Sequence, residues 1–290
     1  MNGQVLLTLI IADNYLTVAV LSQGEINPMS ELALSPRQTR EHVLGILVDV
    51  LTWSEAVDCI FGWTQRRESR TVCVCGGHSV ITARRNLAHA DAVRSADLVT
   101  PEGAPVAWML RKKGYRDQER ISGPDLMWAC CREASKVGTE IFLYGGTPST
   151  LRSLEQRLRT EFPGINIVGT FSPPFCDLST EEDAAIVDMI NRSGARIVWV
   201  GLGCPKQEAW MHAHHGRVNA VMVGVGAAFY FHAGVVKRAP LWMQRNGLEW
   251  LHRLLQDPRR LATRYLVVNS FFITAALQDL LFHKGRVSNG

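Results

Sequence analysis

"ARIVWVGLGCPKQEAW", residues 195–210, is a short apolar run that stops at two glycines and a proline and continues into a segment of helical character. A run this apolar and this short suits a strand covered on both faces. Gly201 and Gly203 let the backbone turn tightly and leave room for a ligand to approach it. Lys206, Gln207 and Glu208 then crowd onto the turn, three long polar side chains unsuited to a core. Strand ends of this kind are where α/β proteins bind ligands. Gln207 is suited to hydrogen-bond a sugar hydroxyl or phosphate, Lys206 to neutralise a diphosphate, and Glu208 to orient Lys206 or a ribose. A solvated helix start would explain the same charges equally well.

Five more runs share the pattern: "TVCVCG" (71–76), "ADLVTP" (96–101), "EIFLYGG" (140–146), "NIVGTFS" (166–172) and "AVMVGVGAAF" (220–229). Between them lie helix candidates with clear end signals. "TPSTLRSLEQRLRTEFPG" (147–164) opens on Thr and Pro, and "STEEDAAIVDMINRSG" (179–194) has a Ser/Thr cap, early acids and a closing glycine. The alternation predicts an α/β fold: a parallel sheet with helices on both faces, Rossmann-like. Residues 1–40 read as an N-terminal extension without clear pattern, 41–236 as the α/β body, and 237–290 as a helical, basic C-terminal appendage.

The chain has 290 residues, 47% of them apolar and 20% charged, as expected of a folded protein with a sizeable core. A formal net charge of +4 argues neither for nor against nucleic acid. Seven cysteines form no zinc or disulfide spacing, which points to reduced thiols in the cytoplasm. The N-terminus lacks a basic n-region, and Asp13 and Asn14 interrupt its apolar run, so no cleaved signal is expected. The longest apolar stretch, "YLVVNSFFITAALQDLLF" (265–282), is broken by Asn269, Gln278 and Asp279, so a soluble or peripheral protein is expected.

Other strand ends also carry candidates. Gly145 and Gly146 precede a helix start, an arrangement that either cradles a phosphate or is a plain βα turn. Glu102, between Pro101 and Gly103, places a carboxylate on a rigid turn, where it is either a general base or an ordinary exposed glutamate. "HSVITARRN" reads as a further strand end, with Thr82 as a donor and Arg84 and Arg85 as anion contacts. "GVGAAF" is a fragment of a dinucleotide fingerprint, and "HAHH" (212–215) lies on an expected helix surface; no metal site is expected. In the appendage, Leu248, Leu251, Leu254 and Leu255 recur at helical spacing beside Arg253, Arg259, Arg260 and Arg264. That pattern suits either packing on the body or an anionic lipid surface.

Together these segments resemble the WecG/TagA/CpsF family of bacterial glycosyltransferases (family 26), exopolysaccharide-type members above all. The likeness runs through "LVTPEGAPVAWMLRKKG", "FLYGGTP", "GLGCPKQEAW" and "KRAPLWMQRNGLEWLHRLLQDPRR", over roughly residues 42–270. It implies inverting transfer of a sugar from a UDP-sugar to a saccharide on a polyprenyl diphosphate, at the cytoplasmic face of the membrane, without a DxD-bound metal or other cofactor. It also implies no nucleic-acid partner and allows an oligomer. Thr82, Glu102, Arg120 and Gln207 stand at positions of the family's functional residues. The appendage arginines would meet the lipid surface and its diphosphate, and the glycine-rich turns with Lys206 and Glu208 would meet the donor.

Three positions depart from the family pattern. Glu102 replaces an aspartate in "PDG", Arg84 stands for the asparagine of "TxN", and Tyr230 replaces an acid in "GAAFDF". These departures motivate an alternative, a catalytically weakened homologue that binds nucleotide-sugar or lipid-linked sugar as a regulator. "GVGAAF" alone motivates another, a Rossmann-type oxidoreductase.

Overall fold

The computed structural model describes residues 6–12, 15–21, 39–176 and 178–287, with the backbone alone at 6–21, 260, 263, 264 and 282–287. Its contacts divide the chain into Met1–Thr39 and Arg40–Gly290. In the first unit, strands β1 (Leu6–Ala12) and β2 (Tyr15–Leu21) pair antiparallel, from Leu6↔Leu21 to Ala12↔Tyr15. Residues 6–21 of the expected N-terminal extension thus form a hairpin. Both strands are almost wholly apolar, so no alternation marked them.

The second unit opens with a hairpin, β3 (Thr39–Val43) and β4 (Ile46–Val50), turned through Leu44 and Gly45, both at positive φ. Asp49 of β4 is buried, accepts from Val99 N–H at 2.7 Å and pairs with Arg40 at 2.8 Å. Helix α1 (Trp53–Gln65) follows, started by a Thr52–Glu55 capping box.

Six strands then build one parallel sheet: β5 (Arg70–Cys75), β6 (Leu98–Pro101), β7 (Glu140–Gly145), β8 (Asn166–Phe171), β9 (Ile197–Gly201) and β10 (Val221–Gly224), in the order β6-β5-β10-β9-β7-β8. All six runs picked out in the sequence are strands. The crossovers are α2 (Gly77–Ala83), α3 (Leu87–Arg94), α4 (Gly103–Lys112), α5 (Gly123–Val137), α6 (Pro148–Glu161), α7 (Thr180–Arg192) and α8 (Lys206–His214). Their starts follow the local chemistry. Thr147 caps α6 ahead of Pro148, and Ser179 and Glu182 form a capping box on α7.

Alternate residues of each strand feed opposite cores. Val72, Val74, Ile141, Leu143, Ile197 and Trp199 pack beneath α1, α5 and α6. Cys73, Cys75, Phe142, Tyr144, Val198 and Val200 pack with Val80, Met109 and Ile190 on the other face. Both faces are covered, which is why the strands read as continuous apolar runs.

"HSVITARRN" is not a strand end. The strand stops at Cys75, and Gly77–Ala83 is a helix carrying Thr82 on its last turn. After β10 come α9 (Ala228–His232), α10 (Leu241–Arg245), α11 (Glu249–Gln256) and α12 (Pro258–Val287). Helix α12 lies on α2: buried Phe272 meets Gly77, Arg85 stacks on the Phe271 ring at 4.0 Å, and Asp279 pairs with buried Lys113 at 2.8 Å. Among the described residues no helix is long and apolar enough to cross a membrane.

The Gly145–Gly146 turn serves packing. A Cβ on Gly145 would lie 2.7 Å from the Gly201 carbonyl carbon, at φ +118. Two neighbouring strand ends therefore touch backbone to backbone. Gly145→Ala should destabilise the protein by more than about 2 kcal/mol, read as a lower urea midpoint; an unchanged midpoint would show the contact to be soft.

Candidate active site

A parallel sheet delivers every strand exit to one edge, and the exits of β5, β6, β9 and β10 frame a pocket of about 700 Å³ there. Gly76 and His78 come from the first exit, Glu102 and Gly103 from the second, Gly201–Cys204 from the third and Gly224–Ala228 from the fourth. Gly247, Glu249, Trp250 and Arg253 of the C-terminal helices and Tyr265, Val268 and Asn269 of α12 complete the wall. The volume suits a ligand of nucleotide-sugar size.

Glu102 lies where β6 turns into α4. Its backbone N–H donates to Cys75 O at 3.0 Å, which fixes the turn, and its side chain leaves the helix start uncapped and enters the pocket. Gly123 N–H donates to Oε1 at 3.3 Å. A Cβ on Gly76 would sit 3.1 Å from Oε2, so the longer carboxylate occupies space that a side chain at 76 would claim. Burial pushes the Glu102 pKa up to about 7; Glu249 pushes the same way, while the Gly123 N–H, Arg120 and Arg253 oppose it. Such a group is divided between acid and base near neutrality, as proton transfer requires.

Around it runs a network of charges. Arg120 donates to Glu249 at 3.1 Å, and Arg238 donates to the other Glu249 oxygen at 3.2 Å. Arg238 also grips Asp125 with both Nη atoms, and Asp125 accepts a short bond from Ser122. Arg238 holds the Asp125 carboxyl below its ordinary range. Glu249 thus ties the appendage to the body at the pocket rim. Sequence reading missed Arg238 and Glu249, whose partners in the body, Asp125 and Arg120, lie more than a hundred residues away.

The opening motif forms a wall of the pocket, lined by Gly201–Cys204, Gln207 and Glu208, while its polar side chains are tied into the interior. Gln207 is buried, its Oε1 accepting from Gly203 N–H at 3.2 Å and its Nε2 donating to Glu208 at 2.9 Å. Its carboxamide lies against Gly224 and Gly226, where a Cβ would come within 3.1 and 3.2 Å. The glycines of "GVGAAF" therefore house Gln207. Glu208 turns inward as well, toward His89 Nδ1 at 3.9 Å, and burial raises its pKa. It does not orient Lys206, which is exposed and outside the pocket lining. His89 in turn meets Ser79 Oγ at 3.0 Å. Among the described residues, His89, Cys204 and Glu208 are the one group whose ligand atoms, within 4.8 Å of one another, could hold a metal ion.

Of the other sequence candidates, Arg120, Gly201, Gly203, Arg253 and Tyr230 line the pocket. Gly145 and Gly146 lie behind it, packed on Gly201 and on Phe229 and Thr150. Thr82 is also outside; its hydroxyl meets Nδ1 of His78, which does line the pocket, at 3.2 Å. Arg259 is exposed, while the side chains of Arg260 and Arg264 lie outside the described residues. "HAHH" is not merely surface: His214 is buried between Asp183 and Trp210 O, and His212 and His215 meet Ser95 and Asp97.

A model of the glycosyl transferase WecG/TagA/CpsF family matches residues 41–286. The chain belongs to this family. It is a glycosyltransferase, and the oxidoreductase alternative falls with that finding. In this glycosyltransferase the pocket joins a neutral-range carboxyl, Glu102, to the arginines Arg120 and Arg253.

Folding holds the Glu102 proton to about pH 7, whereas the ordinary glutamate value is 4.5. Its contribution to stability is full below about 4.5 and lost as pH rises through about 7. Wild-type stability relative to Glu102→Gln should therefore fall by on the order of 3 kcal/mol between pH 4.5 and 8 in urea titrations. A constant difference across that window would show that the carboxyl is not desolvated.

Proposed function

We propose that this glycosyltransferase moves a sugar from a UDP-sugar to a saccharide on a polyprenyl diphosphate, with inversion, at the cytoplasmic face of the membrane, in exopolysaccharide or surface-polysaccharide synthesis. One observation carries the reading: a desolvated carboxyl, Glu102, held on the turn between β6 and α4, faces a strand-edge pocket that also holds Arg120 and Arg253. Glu102 takes the proton from the acceptor hydroxyl as its oxygen bonds to the anomeric carbon. The bond to UDP breaks on the opposite face, which inverts that carbon. Arg120 and Arg253 balance the charge on the departing diphosphate, so the step runs without a metal or other cofactor. Arg120 must then exchange Glu249 for phosphate oxygens.

A screen of UDP-sugars with a lipid-diphosphate saccharide, reading UDP release, tests this, and EDTA should leave the rate unchanged. Glu102→Gln should cost about 10²–10⁴ in turnover with donor affinity retained, and the wild-type rate should rise with pH through about 7. Near-normal turnover in the Gln variant would remove Glu102 from the role. Tyr230, in the pocket where the resemblance expects an acid, favours a second reading, a sugar-binding regulator. Donor binding without UDP release from any donor would support it.

The C-terminal helices supply the membrane contact in this reading. Leu266, Ile273, Leu277 and Leu281 are exposed on α12 at spacings of seven, four and four, an apolar stripe, and Trp242 and Leu255 are exposed nearby in sequence. Leu266→Asp with Leu277→Asp should cut binding to anionic vesicles about tenfold or more in flotation assays. Retained binding would place the docking surface elsewhere.

A further inference from the structure

Beside the catalytic pocket lies a second cavity of about 430 Å³, and Phe231 lines both. Its base is aromatic. The half-buried Trp128 ring stacks on His232 at 4.5 Å and meets Phe162 edge-on at 4.8 Å. His232 is anchored through Nε2 to Pro124 O at 2.8 Å, and burial lowers its pKa, which keeps the ring neutral.

The cavity's charges come in opposite pairs. Arg238 is held by Asp125 at one end, and Arg157 lies 3.6 Å from Glu161 at the other. Paired charges do not favour an anion. Instead they offer donors and acceptors side by side along aromatic faces, the chemistry that recognises a neutral polyhydroxylated ring. Arg157 also lies over the Trp128 indole, 5.9 Å from its centroid.

Helix α5 links this cavity to the reacting centre. Gly123 at its start binds the Glu102 carboxyl, Pro124 lines the first pocket, and Asp125 and Trp128 line the second. Trp128 lies five steps along the helix from Gly123, about 7.5 Å of rise, the reach of one further sugar ring.

We propose that the cavity around Trp128 is a saccharide subsite, which holds the acceptor sugar next to the one whose hydroxyl faces Glu102. The inference rests on the reading of the first pocket as the transfer site. It makes the enzyme selective for acceptors that carry at least two sugars. Trp128 and Phe231 take the apolar ring faces, while Arg157 and Glu161 take hydroxyls.

Two measurements test it. In the first, free cellobiose, lactose and chitobiose are titrated into the full chain while the Trp128 indole N–H is followed by NMR. At least one disaccharide should shift that signal, and the double variant Arg157→Ala, Glu161→Gln should weaken the binding about tenfold. Both residues are about half exposed, so the variant should fold, whereas Trp128 packs on Phe162 and is left intact. In the second, KM is compared for lipid acceptors bearing one and two sugars. The wild type should favour the longer acceptor about tenfold, and the double variant should bring that ratio close to one. Absence of a Trp128 shift with all three disaccharides, or a wild-type ratio near one, would overturn the subsite. Failure of every donor to release UDP would sink the transfer reading, while the NMR titration would still decide whether sugar binds at Trp128.

Discussion

Parallel pairing is the constraint on which everything else here depends. A parallel strand cannot return by a hairpin, so each must be followed by a crossover, and every crossover starts from the same edge of the sheet. That edge gathers the chain's irregular backbone and its outward-pointing polar groups. Residues 76, 102, 201 and 224, far apart in sequence, become the rim of one pocket because their strands run the same way. The same rule brings β7 and β9 so close at their ends that Gly145 has no room for a side chain against Gly201.

The strands were readable because burial on both faces writes an unambiguous signature, and all six runs held. Helices α6 and α7 were readable from their caps. The hairpin at 6–21 was not, since two adjoining apolar strands carry no alternation. Thr82 was misplaced because "SVITA" is apolar and β-branched enough to resemble a strand, although it packs as a helix under Phe272.

Within the site, the motif and the resemblance brought Glu102, Arg120, Gln207 and Glu208 to one pocket, but not the internal partners of Gln207 and Glu208. Their polar character suggested solvent or ligand. The structure buries them against Gly224, Gly226 and His89, with partners that come from other strands and from α3. Arg238 and Glu249 carried no local signal, because an ion pair's worth lies in a partner that sequence proximity does not reveal. Their shared network also shows how the appendage is coupled to chemistry. Glu249 raises the affinity of Glu102 for its proton while occupying Arg120. A ligand that draws Arg120 away from Glu249 changes both conditions at once.

The space opposite Glu102 has a consequence for how such a site can change over time. Glycine at 76 and a glutamate at 102 are a matched pair: the absent side chain leaves the volume that the extra methylene fills. An aspartate at 102 would withdraw the carboxylate and leave a gap that a larger residue at 76 could close. A larger residue at 76 with glutamate retained would press on the carboxylate itself. Each position thus limits what the other can become, and an evolutionary path between the two acids passes through position 76.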